Sequence, residues 1–274
     1  MVMKTSTLAR FFLLGSLIAG LLVPAPSSHA QDGDAAPVLA GEAPVVGLPS
    51  HPSLRITINI PARELRVFEN NTLIRQYPVA VGQPRYRSPV LSSKKITRII
   101  WNPSWIPPPS PWAVGAKVAP PGPHNPLGPV KMPITNDILV HGTNKPASVG
   151  TAASHGCFRM HNEEAGELAW FLQQRASAQL DPSLRQKYQA QRGRTFWVTL
   201  DQSIPVDVIY EPVEVIGGAL HLHPDLYGKI GDYTARIRSV LAAYGINTIS
   251  DATLQSLRSK AHSGSTVVTL SEIH

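Results

Sequence analysis

The chain of 274 residues is 43% apolar with a formal net charge of +7, long enough to bury one substantial core and basic without being extreme. Its lysines and arginines are scattered, with no run of five or more, which excludes a nucleic-acid reader and favours a polyanionic neighbour such as an anionic cell wall or envelope. A single cysteine, Cys157, excludes an internal disulfide framework.

The N-terminus reads as an export signal, residues 1–30. Lys4 and Arg10 precede the apolar run FFLLGSLIAGLLV, and SHA at Ser28 to Ala30 is a small-x-small cleavage pattern. The run, Phe11 to Val23, is shorter than the roughly 20 residues of a membrane span. Cleavage after Ala30 is therefore expected to release a protein with no stable membrane span into the periplasm or another extracytoplasmic space; a retained signal anchor is the alternative. No cysteine follows the run, so a cysteine-linked lipid anchor is excluded. Residues 31–53, rich in Ala, Gly and Pro, read as a linker.

From Leu54 the pattern has period two. LRITINI, ELRVFE and TLIRQYPVAV alternate apolar and polar residues, and Asn70-Asn71 between the last two predicts a hairpin, because Asn tolerates positive φ. Lys94 to Ile100 is a further strand. Trp101 to Pro126 holds nine prolines and three tryptophans, which predicts an ordered irregular loop that caps the core or walls a groove. Asp137 to Gly142 is a short apolar strand carrying His141. Asn162 is the expected N-cap of a helix that places Glu163 and Glu164 in its first turn and repeats Ala165, Leu168, Ala169 and Leu172 on one stripe. Thr195 to Leu200 and Pro205 to Tyr210 return to strands. Beyond them, YTARIRSVLAAYG and DATLQSLRSKA predict two short amphipathic helices without evident chemistry, the first closed by Gly245. The expected fold class is mainly β and sandwich-like, with one helix after the cysteine, a catalytic domain over 54–210 and a short helical C-terminal extension over 211–274.

The chemistry concentrates around Cys157. Cysteine catalysis needs a thiolate, a base to make it and donors for the developing oxyanion. His141, sixteen positions earlier at a strand end, is the candidate base, its second ring nitrogen oriented by a backbone carbonyl for want of a nearby acid. Gly142 and Gly156 flank the two reactive side chains, and N–H groups around Gly156 and Cys157 are candidate oxyanion donors. Arg159 is placed to bind a substrate carboxylate, with a surface ion pair to Glu163 or Glu164 as the alternative. His155 adds an imidazole, but Cys with His two and sixteen positions before it matches no metal-ligand spacing. The chain has no glycine-rich phosphate loop, CxxC or HExxH, so no cofactor or metal is implied.

HGT at His141 to Thr143, followed by SHGCFRM at Ser154 to Met160, resembles the signature of the L,D-transpeptidase (YkuD) catalytic domain in its ErfK/YbiS-like branch. The likeness runs from about Leu54 to Tyr210 and includes the opening strands, NPSWIPP, PPGPHNPLG and ILVHGTN. It implies a β-rich domain with Cys157 as nucleophile and His141 as base, and with Gly142, Ser154, His155, Gly156 and Arg159 among the substrate and oxyanion surroundings. It also implies a reaction. The cysteine attacks the carbonyl between the third residue, a diamino acid, and D-Ala of a peptidoglycan stem tetrapeptide, D-Ala leaves, and an amine resolves the thioester. That amine belongs to a second stem, giving a 3-3 cross-link, or to a lysine of an envelope lipoprotein; water would make the site a carboxypeptidase. A non-catalytic wall-binding protein is the reading from another class. The sequence departs from the family at Phe158, where an aliphatic residue is more usual, and no LysM-like pattern precedes the domain, so wall contact is expected from the domain, the linker or the basic surface.

Overall fold

A computed structural model describes residues 53–273 except Gln179. The expected signal and almost all of the expected linker lie outside the described residues.

The chain opens with three strands, β1 (Leu54–Asn59), β2 (Glu64–Glu69) and β3 (Thr72–Pro78). The β2–β3 turn is made by Asn70 and Asn71 at φ 49° and 67°, the paired left-handed geometry whose twist suits a hairpin. After the two-residue β4 (Val81–Gly82) come β5 (Leu91–Trp101), β6 (Val130–Pro133), β7 (Leu139–His141), β8 (Ala152–Ser154) and β9 (Phe158–Arg159). Two helices follow, α1 (Asn162–Ala176) and α2 (Ser183–Ala190), and then the long strand β10 (Phe196–Ile209).

One eight-stranded sheet in the order β3-β2-β1-β10-β5-β6-β7-β9 organises this body. The fold is mainly β as expected, and the layering comes from this sheet being buried on both faces where it matters: Ile96 and Ile100 on one face of β5, Ile99 and Trp101 on the other. The two strands expected over 195–200 and 205–210 are one strand, with an irregularity in its pairing to β5 between Thr199 and Ile204. β1 pairs with β10 in parallel, so the sheet is mixed rather than purely antiparallel.

α1 buries Ala165, Leu168, Ala169 and Leu172 completely against this core. Its expected cap is corrected: His161 occupies the N-cap position and makes no side-chain bond, while Asn162 is the first helical residue. α2 was not expected. Of its residues only Tyr188 is buried, so it has no apolar stripe to read. Phe158 is fully buried, its ring filling core volume rather than facing solvent.

The Trp/Pro stretch is irregular, as expected. Trp105 and Ala119 exchange N–H···O bonds across it, and the Asn125 amide reaches the carbonyls of Pro103, Ala119 and Pro120 at 2.8–3.1 Å. A proline-rich segment is short of N–H donors, so one buried amide closes the loop in place of a ladder.

The C-terminal part adds β11 (Val213–Ile216), β12 (Ala219–Leu222), α3 (Tyr233–Ala242), α4 (Asp251–Ser263) and β13 (Thr266–Thr269). Both expected helices are present, with Asp232 and Ser250 as side-chain caps. They cover a second core with a three-stranded sheet that was not expected. Polar bonds join the two cores. Glu214 takes both Arg66 Nη atoms at 2.7 and 2.8 Å, and the Asn59 amide donates to Glu211 O and Glu214 Oε1, each at 2.9 Å. Leu226 and Tyr227 return to pack on the first core.

Candidate functional site

The site forms where β7 and β9 run parallel with His141 opposite Arg159, while β6 places Lys131 opposite His141 from the other side. Residues in register on neighbouring strands share a face, so Lys131, His141 and Arg159 form a row across the sheet. Cys157 immediately precedes β9, and its Sγ lies 3.3 Å from Asp137 O, against the segment leading into β7.

The turn carrying the cysteine is closed by Ser154. Its hydroxyl donates to Cys157 O at 2.6 Å and accepts from the Gly156 N–H at 3.1 Å. Gly156 sits at φ 114°, which a residue with a Cβ rarely adopts, so the turn needs glycine here. Of the two expected oxyanion donors, the Gly156 N–H donates to Ser154 Oγ, whereas no hydrogen bond holds the Cys157 N–H among the described residues. Ser154 likewise spends its hydroxyl inside the turn.

A second tier supports the turn from behind. Ser88 Oγ donates to Gly156 O and accepts from the Gly82 N–H, both at 2.8 Å, and Tyr227 OH donates to Gly82 O at 2.6 Å while accepting from the Ser88 N–H at 3.1 Å. Nothing in the sequence marks Ser88 or Tyr227 as a site residue. Each reaches the turn only through tertiary folding, and no local spacing marks them.

His141 is buried, 5% exposed. Its Nδ1 lies 2.5 Å from Gly142 O, as expected of a carbonyl-oriented ring. A carbonyl only accepts, so Nδ1 carries the proton and Nε2 keeps the lone pair. Burial lowers the imidazole pKa to about 4, against the Gly142 bond and with help from Arg159 and Lys131. Burial also pushes the Cys157 thiol up, opposed by the Leu139 backbone and Arg159. The resting pair is thus neutral thiol and neutral imidazole near pH 7.

Gly142 has a structural task. Its N–H donates to Val130 O, and a Cβ here would lie 2.4 Å from Asn162 Oδ1 and 2.8 Å from Pro129 Cδ. Asn162 Oδ1 accepts the Thr143 N–H at 2.7 Å. The side chain expected to cap α1 therefore clamps the turn that follows the histidine, because that tertiary N–H sits within its reach.

His155 is held between rings. It stacks on Trp112 at 4.1 Å between centroids with planes 11° apart, and meets Tyr86 at 4.8 Å. The Trp/Pro loop thereby lies against the turn of the cysteine, which favours a groove wall over a mere cap. Burial, then Arg159 and Lys145, lower the His155 pKa. Arg159 forms no ion pair with Glu163 or Glu164, or with any other acid among the described residues; its guanidinium makes one long hydrogen bond, to Ser148 Oγ at 3.5 Å. A half-buried guanidinium without a carboxylate partner stands beside the thiol.

The family model of the L,D-transpeptidase catalytic domain, YkuD, matches residues 53–199. Among curated proteins, YkuD of Bacillus licheniformis is 31% identical over 116 residues, 42% of this chain and 58% of that protein. YkuD of Bacillus subtilis strain 168 is 31% identical over 155 residues, 55% of this chain and 78% of that protein. YbiS of Escherichia coli K12 is 32% identical over 118 residues, covering 39% of this chain and 38% of that protein. The matched stretch thus spans between about two fifths and four fifths of these relatives.

Proposed function

The chain belongs to the YkuD family of L,D-transpeptidase catalytic domains, and from that premise we propose that it transfers peptidoglycan stem peptides through a thioester on Cys157. His141 Nε2 takes the thiol proton as Sγ attacks the carbonyl between the diamino acid and D-Ala. Because both groups rest neutral, proton transfer accompanies attack rather than preceding it as a stored ion pair. The Cys157 N–H receives the oxyanion. On collapse the C–N bond breaks, His141 returns the proton to the departing D-Ala amine, and the acyl group stays on sulfur. An incoming amine then attacks the thioester, gives its proton to Nε2, and the thiol re-forms.

The observation that carries this reading is Arg159, half-buried beside the thiol with no acid paired to it among the described residues. A stem peptide supplies the missing carboxylate, and Lys131 across His141 adds to the same positive row. His155, fixed by Trp112, and the glycine turn shape the groove around that contact. We place the work in the periplasm or another extracytoplasmic space, after removal of residues 1–30, with the linker 31–53 ahead of the catalytic domain 54–210 and the extension 211–274 behind it. Among the described residues no helix is long and apolar enough to cross a membrane. The acceptor is a second stem or a lipoprotein lysine, and water in its place gives a carboxypeptidase.

The test is mass spectrometry of purified tetrapeptide muropeptides after incubation with wild type and with Cys157→Ala. Cross-linked dimers lacking one D-Ala, made only by wild type, support transpeptidation; tripeptide monomers alone mean hydrolysis. Should wild type and Cys157→Ala give the same products, the thioester mechanism is wrong.

A further inference from the structure

A cavity of about 440 Å³ lies between α1, α2 and the Trp/Pro loop, and neither Cys157, His141, His155 nor Arg159 lines it. We infer that this cavity is a second binding site for peptidoglycan stem peptide, recognising the carboxylates of a neighbouring stem; the ligand class rests on the wall-peptide reading above.

The lining supplies the chemistry. Arg185 and Arg192 face the cavity against a single acid, Glu163, and among the described residues none of the three forms an ion pair. Arg192 makes one weak bond, Nε to Gln189 O at 3.2 Å, which leaves its outer nitrogens open. Two guanidiniums and one carboxylate suit a peptide with several carboxylates and a free amine, which is the character of a stem ending in a diamino acid. The volume suits a ligand of that size.

Gly166 gives a second, independent argument. It sits inside α1, where glycine is less stable than alanine, and it lines the cavity. Packing does not demand it: the nearest atom to an added Cβ is Trp101 Cζ3 at 3.9 Å, an ordinary contact. The missing side chain keeps the cavity open at a cost to the helix. The site also touches the catalytic region, because Gly128, Pro129 and Asn162 form one wall of the cavity and pack against Gly142, whose carbonyl orients His141.

The test is calorimetric titration of a soluble stem tripeptide ending at the diamino acid into the Cys157→Ala protein. Two sites per chain are expected. Arg185→Gln with Arg192→Gln, and separately Gly166→Leu, should each weaken one site at least tenfold and leave D-Ala release from soluble tetrapeptide, measured with Cys157 intact, within twofold. Arg159→Gln should weaken only the other. Lys94→Gln with Lys95→Gln, exposed on β5, removes equal charge and should weaken neither. A single site untouched by the cavity variants overturns the inference, as does an equal loss in the Lys94/Lys95 control. Loss of only the Arg159-dependent site would count against the catalytic reading and leave the cavity site standing.

Discussion

Burial decides how His141 behaves, and burial is a property no strand-end histidine reveals by its sequence. The folded imidazole takes a proton only near pH 4, whereas in the unfolded chain it does so near 6.5. Between those values the unfolded state binds more protons, so this group makes stability fall as pH falls from 6.5 to 4, by about 3 kcal/mol in all. Urea titrations of wild type and His141→Gln across that window should show the acid loss reduced in the variant; parallel curves would count against a buried neutral imidazole. In activity, the acid limb of kcat/KM is expected near pH 4 rather than near 6.5. Asn162 acts at the same scale. Asn162→Ala removes the acceptor of the Thr143 N–H and loosens the turn that follows His141. We expect kcat/KM for D-Ala release to fall about tenfold, equivalent to about 1.4 kcal/mol, with Asn162→Asp recovering most of it and the melting temperature changing little.

At the scale of elements, α1 is the strut between the core and the site. Its stripe of Ala165, Leu168, Ala169 and Leu172 is buried without residue, while its first residue clamps the histidine turn. Leu168→Ala should cost about 2–5 kcal/mol in chemical denaturation, the range for emptying a packed leucine site. Thiol alkylation of the folded variant should stay at the wild-type rate, since the Cys157 turn is held by Ser154, Ser88 and Tyr227 rather than by the helix. The helix was legible because four apolar positions repeat at helical spacing. α2 was not, having one buried side chain, and the long β10 read as two strands because polar residues interrupt its alternation where its pairing with β5 shifts.

For the whole molecule, the C-terminal part is bound into the catalytic body. Arg66, 5% exposed, has as its acidic partners Glu64 on its own strand and Glu214 on β11, and the Tyr227 hydroxyl supports Ser88 and Gly82 behind the cysteine turn. Glu214→Ala leaves a buried guanidinium half-paired and is expected to cost about 3–5 kcal/mol in denaturant unfolding. A replacement within 1 kcal/mol of wild type would mean that water reaches this junction. Truncation after Tyr210 should for the same reasons give a protein with a lower melting temperature and slower D-Ala release.

What the sequence by itself determined is local or compositional: the β alternation, the Asn70-Asn71 turn, the α1 stripe, and the His141 and Cys157 signature that points to the family. Each depends on residues near one another along the chain, where spacing translates directly into geometry. Only the tertiary structure decided that Ser88, Tyr227, Lys131 and Trp112 surround the site, that Asn162 clamps rather than caps, and that the Gly156 N–H is spent inside its turn. These depend on which distant groups meet, and on the burial that results. A hydrogen-bonding side chain takes whichever partner the packed core brings within reach, and the order of residues along the chain does not encode that distance.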